Sequence, residues 1–542
     1  MTVKRLILGL MTLLAIARVL LSLGGSLTEP QIQSRLELYQ TNLVLYASEL
    51  KSDLGSDDQS VNDLIAKSLG TNPSEVAFKQ YDKVQTEAVE LLDTFEKQLQ
   101  PEVVVNQIED KQESVAQDAI AKEEPSIKVQ NTSTRKASSL RQQLKQQVGD
   151  LTEFIDDIDL KKGILLAEQN KLTEAKKTWQ NLIVDSKGKH YEDQHAEVAS
   201  LMSKLWSDNP VLKDTATAKK TIEQNLDSWF RDRALAQFYA VTNNDQELQK
   251  FNENQQQLAS QAVVKLAFIS GIPVVGGFIG FLLLLFLLGQ SLFKSENSIL
   301  ATNSNLNWST PWDWEITWQV IIVGFFFVGQ FVLPLLLGLL GLNVAEASLR
   351  VKAFYVLFTY ALMAIGGLAV LYISLKPYFP LEPEWFKVKL LDKWFIWGFG
   401  GYLVAIPCVL LVSLINQQIW HGQGGSNPLL YLALQAQDKV ALAIFFITAS
   451  VAAPVFEELI FRGFLLPSLT RYFSVTTAII LSGFLFAIAH LSLAEVLPLA
   501  TLGIILGVVY TRSRNILAPM LLHGLWNSGT LLSLFVLGSS SN

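Results

Sequence analysis

Hydrophobic residues are unevenly distributed along this chain, which is mostly polar up to about residue 260 and mostly apolar from Val263 onward. The apolar part breaks into stretches of nearly the ~20 residues that a helix needs to cross a hydrocarbon core. Tryptophans stand near several ends of these stretches, as they do at membrane–water interfaces. The pattern predicts eight membrane spans, at 263–290, 318–341, 353–375, 394–416, 440–465, 475–492, 495–511 and 515–537.

A further apolar stretch, residues 3–23, stands at the amino terminus behind Lys4 and Arg5. It is long for the apolar region of a signal peptide, and Arg18 interrupts it. No clear small-residue cleavage site follows. We therefore expect residues 1–25 to be an uncleaved transmembrane anchor, with a cleaved signal as the alternative.

The polar segment between the anchor and the spans shows leucines at roughly helical intervals, which predicts a soluble helical region. Residues 26–150 form a helical or linker region, in which the Gln- and Lys-rich stretch 105–145 is typical of a linker or a solvated helix. Within 151–260, Gly163 and Trp179 fall where a tetratricopeptide-type hairpin places its packing residues. Only one such unit is convincing, so a TPR-like interaction module and a plain helical bundle both remain open.

Together these patterns predict an all-α protein: a polytopic transmembrane helix bundle of about eight spans and an anchor, with a soluble helical domain. We assign 261–390 to leading spans and 391–542 to the functional core. Charged residues make up 17% of the chain, below the usual ~25%, as expected for a membrane protein. A net charge of −7 argues against a nucleic-acid partner. With Cys408 as its single cysteine, the chain can form no internal disulfide.

Basic residues near the span ends predict how the spans are oriented, because they accumulate on the cytoplasmic side. A cytoplasmic amino terminus would also place the polar domain and the carboxyl terminus on the non-cytoplasmic side. One set of ends then carries Lys4, Arg5, Lys294, Lys376, Lys387, Lys389, Lys393, Arg471, Arg512 and Arg514, and the other carries Arg350, Lys352 and Lys439. This bias favours that orientation.

Three of the predicted spans contain polar groups that are costly in a membrane, since a charge at the centre of a span costs about 2.5–3.5 kcal/mol. Glu458 and Arg462 are four residues apart and share one helix face, so they can pair. Glu457 points about 100° away and has no local partner. One carboxylate is thus expected to be held by arginine and one to be free for chemistry. The complete set is Glu457, Glu458, Arg462, His490, His523 and Asn527.

Each of these residues also has a structural interpretation. A single buried histidine is usually a packed core residue, an ion pair can simply join two turns, and an asparagine can bridge two helices. Their joint presence on three neighbouring spans favours a site, because these types supply acid–base, ligand and hydrogen-bond chemistry.

The spacing EEXXXR at 457–462, FXXXH at 486–490 and HXXXN at 523–527 resembles the three motifs of the CPBP family of intramembrane proteases. This family includes type II CAAX prenyl endopeptidases and bacteriocin-immunity-like proteins. The resemblance covers about residues 390–537, and the added amino-terminal domain is similar to arrangements in cyanobacterial members. It implies an intramembrane endopeptidase that hydrolyses a membrane-associated protein, with CAAX or prenylated proteins as one substrate class.

The resemblance also implies roles for the residues. A glutamate activates water, and the pairing argument assigns that role to Glu457. His490 binds the water or a metal, while His523 and Asn527 stabilise the oxyanion. The family is commonly labelled as metalloproteases, so zinc or another divalent ion held by Glu457, His490 and His523 is one alternative and a metal-free site the other. No other cofactor is expected.

Two other functions fit parts of the sequence. A non-proteolytic membrane scaffold would use residues 151–260 to hold a protein partner. A transporter would use the carboxylates and histidines as a proton relay, but we see no inverted repeat to support it.

Overall fold

A computed structural model of the chain describes residues 2–27, 31–50, 72–99, 127–186, 194–212, 214–342, 344, 347–420, 422–435 and 438–538. These residues are predominantly helical and contain no β-strand, which confirms the all-α prediction. The expected linker at 105–145 lies partly outside this description. The chain forms two compact units. The membrane unit is Met1–Leu36 with Lys265–Ser539, and the polar unit is Glu37–Val264, with residues 540–542 assigned to it.

The described helices are numbered in chain order. They are α1 (Val3–Ser26), α2 (Ile32–Ser48), α3 (Pro73–Leu99), α4 (Ile127–Glu168), α5 (Leu172–Ser186), α6 (Gln194–Leu205), α7 (Thr215–Asn225), α8 (Ser228–Val241), α9 (Asp245–Asn297), α10 (Trp314–Leu339), α11 (Leu349–Tyr378), α12 (Trp394–Trp420), α13 (Pro428–Gln435), α14 (Lys439–Leu469), α15 (Val475–Ile488), α16 (Leu493–Ser513) and α17 (Leu517–Gly538).

Eight described helices are long and apolar enough to cross a membrane: α1, α9, α10, α11, α12, α14, α16 and α17. The polytopic helical bundle is thereby confirmed. The predicted span 475–492 is shorter in the structure, because α15 ends at Ile488 and Leu491 adopts a left-handed conformation with φ +60°. His490 therefore lies in the turn between α15 and α16, which hydropathy alone does not reveal.

Helix α1 packs against α10 within the membrane unit. Lys4 and Arg5 pair with Glu315 at 3.0 and 2.7 Å, and the Trp318 indole donates to the Thr12 hydroxyl at 2.7 Å. Ala15 is buried in the core of the unit. These contacts hold α1 in the membrane unit, and an uncleaved anchor at residues 1–25 stays a prediction.

Four stretches of the membrane helices widen into π-helix, and each is followed by a proline two residues later. Proline lacks an N–H donor and its ring clashes with the carbonyl four residues earlier, which a wider turn relieves. Two of these stretches lie in α14 and flank its segment Ala453–Glu458. The stretches are Ala267–Gly271, Val320–Val332, Thr448–Ala452 and Leu459–Leu465, and the prolines are Pro273, Pro334, Pro454 and Pro467.

Helix α14 is the most buried of the eight spans, with 44% of its apolar segment inside the protein. Phe456 and Phe461 from this helix are almost completely buried in the core. Next to it, α15 and α16 touch at Gly483 and Gly503, where an added Cβ on Gly503 would lie 2.8 Å from the Gly483 Cα. Small residues permit this close backbone approach in membranes. It positions the Gly503 carbonyl toward α14.

In the polar unit, α4 and α5 form a tight hairpin in which Gly163 lies against Trp179. The Trp179 side chain is fully buried, and its indole donates to the Leu160 carbonyl at 3.2 Å. The buried Lys161 pairs with Asp157 at 2.9 Å and Asp227 at 3.1 Å. Burial lowers the pKa of Lys161, but the two carboxylates outweigh it and raise the pKa above its ordinary value. A tetratricopeptide-type repeat here stays a prediction.

We expect Gly163→Ala to destabilise the polar unit, because an added Cβ would lie only 2.1 Å from the Trp179 indole nitrogen. Overpacking of this kind typically costs about 1–3 kcal/mol. Hydrogen exchange of peptides from α4 and α5 in the full chain should therefore become faster. Gly149→Ala is the matched control, since no atom lies within 4 Å of its added Cβ. Equal exchange in both variants would refute the packing argument.

Candidate active site

Glu458 and Arg462 form an ion pair inside the membrane unit. The Arg462 Nη1 donates to Glu458 Oε1 at 2.8 Å, and both side chains are fully buried. The Arg462 Nη2 donates to the Gly503 carbonyl at 3.1 Å, and the guanidinium carbon lies 4.4 Å from the Phe486 ring centroid. The pairing expected from the four-residue spacing is thus present, and it ties α14 to α15 and α16.

Glu458 also holds His523 from α17, a contact that the sequence did not predict. The His523 Nδ1 lies 2.9 Å from the same Oε1 that Arg462 contacts. An ionised carboxylate can only accept, so the shared hydrogen belongs to Nδ1. This fixes the imidazole and leaves Nε2 directed toward Glu457, whose Oε2 lies 4.0 Å away.

Glu457 has a different environment from its neighbour. Its Oε1 accepts a hydrogen bond from the Tyr360 hydroxyl at 3.1 Å, and its Oε2 has no hydrogen-bond partner among the described residues. The side chain is 14% exposed and lines a cavity of about 360 Å³. The predicted difference between the two glutamates, one paired with arginine and one not, is present in the structure.

His490 lies on the wall of the same cavity, at the end of α15. Its Nδ1 donates to the Phe486 carbonyl at 2.9 Å, which leaves Nε2 as an acceptor in the neutral ring. The buried Phe486 ring packs edge-on against His490 and His523, with centroid distances of 4.8 and 5.5 Å. Phe486 therefore acts as a spacer that orients both imidazoles.

Asn527 completes the set, one turn after His523 on α17. Its Nδ2 donates to the Ala449 carbonyl at 2.7 Å, in the first π-helical stretch of α14. The cavity is lined by Glu457, His490, His523 and Asn527. Glu458 and Arg462 lie behind these residues and do not line it. The structure thus brings four predicted residues to one cavity and places the other two as buried supports.

The cavity is also lined by residues outside the predicted set, among them Tyr360, Asn427 and Glu495. The Glu495 Oε1 accepts the Asn427 backbone N–H at 2.8 Å beside the cavity. A tyrosine within an apolar span, such as Tyr360, gives no sequence signal comparable to that of a charged residue.

The expected metal ligands Glu457, His490 and His523 all line the same cavity. In the described part of the chain, no group of three or more His, Cys, Asp and Glu side chains is arranged to hold a metal ion. The Nδ1 atoms of His490 and His523 are engaged by Phe486 and Glu458. This arrangement leaves the Nε2 atom of each ring as a potential ligand, so a divalent ion held by Glu457, His490 and His523 stays a prediction.

Comparison with known proteins supports the motif interpretation. Residues 439–529 match the family described as Type II CAAX prenyl endopeptidase Rce1-like. The membrane-embedded CAAX protease MroQ of Staphylococcus aureus (strain USA300) is 24% identical over 217 residues, which are 39% of this chain and 86% of that protein. The putative membrane peptidase YdiL of Bacillus subtilis (strain 168) is 25% identical over 133 residues, 24% of this chain and about half (53%) of that protein.

No solved structure matches the chain. The matched residues 439–529 contain all three motifs, from Glu457 to Asn527, and part of the lining of the cavity. The chain is therefore an integral, multi-pass membrane protein, and its carboxyl-terminal spans contain a segment that matches the Type II CAAX prenyl endopeptidase Rce1-like family.

Proposed function

We propose that this protein is an intramembrane endopeptidase in which Glu457 activates a water molecule to hydrolyse a peptide bond. The observation that carries the proposal is the contrast between two adjacent carboxylates. Glu458 is neutralised by Arg462 and buried, whereas Glu457 has no cationic partner of that kind and opens onto the cavity. A carboxylate that lines a cavity and is not paired with arginine suits a general base.

The chemistry follows from this placement. Glu457 takes a proton from water, the water oxygen bonds to the carbonyl carbon, and the carbonyl π electrons move to oxygen. When the C–N bond breaks, Glu457 returns the proton to the leaving nitrogen. The His490 Nε2 accepts the second hydrogen of the water and so orients it, because its Nδ1 is held by Phe486.

His523 is suited to stabilise the oxyanion. Since its Nδ1 hydrogen is bound to Glu458, Nε2 donates only when the ring is protonated. The buried Glu458 carboxylate stabilises that imidazolium, as the aspartate does in a catalytic triad. Asn527 lies on the same cavity wall and adds a second polar group, and Arg462 holds the Glu458 carboxylate in place.

The similar proteins support a peptidase, since the two relatives are described as a CAAX protease and a membrane peptidase. The substrate we propose is a membrane-associated protein or peptide, of the CAAX or prenylated type where such proteins exist. The cavity opens among spans, which suits a peptide presented from the membrane.

We propose that the amino terminus is cytoplasmic and that the polar domain lies on the opposite side, because ten basic residues stand at one set of span ends and three at the other. Residues 151–260 are also proposed to bind a protein partner, which the packed hairpin of α4 and α5 supports.

Protease digestion of sealed vesicles tests the proposed orientation of the amino terminus and the polar domain. Digestion of the polar domain from the cytoplasmic face would overturn it.

The function is tested with purified protein in liposomes, using a library of membrane-anchored peptides and mass spectrometry of the products. We expect the wild-type protein to release fragments that Glu457→Gln does not. Identical fragments from both proteins would refute the assignment of the base. Absence of cleavage across the library, together with partners captured equally by both proteins, would favour the scaffold. The metal content of the purified protein is measured in the same experiment.

A further inference from the structure

Tyr360 on α11 contacts the proposed base but lies outside the motifs and outside the matched residues 439–529. Its hydroxyl donates to Glu457 Oε1 at 3.1 Å, and its ring packs edge-on against Phe456 with a centroid distance of 6.1 Å. We infer that Tyr360 is a positioning residue that directs the Oε2 atom of Glu457 toward the reacting water. This inference rests on the proposed function.

The two oxygens of Glu457 differ because of this contact. Oε1 is engaged by the phenol, whereas Oε2 has no hydrogen-bond partner among the described residues and lies 4.0 Å from His523 Nε2. Because the Tyr360 hydroxyl binds Oε1, the Glu457 carboxylate cannot rotate freely, and Oε2 stays available to the water. A hydrogen bond between a hydroxyl and an ionised group is stronger than a neutral one, which makes the orientation stable.

The position of the phenol is itself well supported. At Gly367, α11 approaches α14 so closely that an added Cβ would lie 2.9 Å from the Phe456 ring. Phe456 in turn packs against Tyr360 and directly precedes Glu457 in the chain. The packing of α11 against α14 therefore fixes the position of the Tyr360 hydroxyl relative to the Glu457 carboxylate. Helix α11, which lies within residues 261–390, thus contributes to the site.

The test compares Tyr360→Phe with the wild-type protein in liposomes. The ring and its packing against Phe456 are retained, so we expect an unchanged melting temperature. We expect kcat to fall roughly tenfold to hundredfold, the worth of a hydrogen bond to a charged group, with KM changed less than about twofold. A structural role alone would alter the melting temperature or KM. Tyr355→Phe on the same helix is the matched control, since Tyr355 does not line the cavity.

A double variant separates this inference from the proposed function. In the Glu457→Gln background, Tyr360→Phe should have no further effect on the residual rate, because the two residues act as one unit. If Glu457→Gln is inactive but Tyr360→Phe has the wild-type kcat, the inference fails and the function stands. If Glu457→Gln retains the wild-type rate, the proposed function fails.

If Tyr360→Phe does not fold, infrared spectroscopy of the isosteric Glu457→Gln variant tests the same hydrogen bond. In the infrared difference spectrum between wild type and Glu457→Gln, a tyrosine C–O vibration should shift, because the phenol loses its ionised acceptor. No tyrosine shift would overturn the inference without any need for activity.

Discussion

Replacing Glu457 with glutamine is expected to lower the rate of peptide cleavage by about 10²–10⁴, the usual contribution of general acid–base catalysis. The amide has the shape of the carboxylate and still offers an oxygen to the Tyr360 hydroxyl, so the packing should persist. It cannot take a proton from water. Single-turnover cleavage in liposomes measures the chemical step without the contribution of product release.

The control for this prediction is Glu382→Gln, which removes an exposed carboxylate from the same unit. That variant should cleave at the wild-type rate. Glu457→Asp is informative as well, because it keeps the charge but shortens the side chain. It should retain more activity than the glutamine variant, and the reverse order would contradict a role as proton acceptor.

The sequence predicted those features of the site that depend on local geometry. Glu458 and Arg462 are four residues apart on one helix, so their pairing follows from helical spacing. The same spacing argument distinguished Glu457 from Glu458. The set of polar residues in three apolar spans was recognisable because such residues are rare in membranes.

The contacts between distant parts of the chain were not predictable from one sequence. His523 is 65 residues from Glu458, and Tyr360 is 97 residues from Glu457. Such contacts depend on how the spans pack, which hydropathy does not encode. The placement of His490 was also missed in detail, because the turn after α15 contains no glycine or proline to mark it.

The long-range contact of Glu458 changes the interpretation of Arg462. From the sequence, the arginine serves to hold one carboxylate. In the structure, that carboxylate also orients His523, and the guanidinium lies over Phe486, which contacts both histidines. Arg462 therefore does not line the cavity but supports, through Glu458 and Phe486, the two histidines that do. Its loss should affect folding and activity together.

Replacing Arg462 with methionine is expected to destabilise the membrane unit by about 3–5 kcal/mol, because it leaves the Glu458 carboxylate buried without its cation. The Gly503 carbonyl also loses its donor. Activity should fall with stability, since Glu458 would lose the contact that holds it against His523. Unfolding of the purified protein in mixed micelles by increasing SDS measures the change.

Two further variants decide whether the buried charge is the cause. Combining Arg462→Met with Glu458→Gln removes both charges, and the pair should be less destabilised than the sum of the single variants. Arg350→Met provides the exposed counterpart, because Arg350 pairs with Asp438 at 2.9 Å but is 55% exposed. Exposed pairs contribute little, so this variant should unfold near the wild-type SDS concentration. If Arg350→Met were the more damaging substitution, the buried pair would not be what stabilises the contact between α14, α16 and α17.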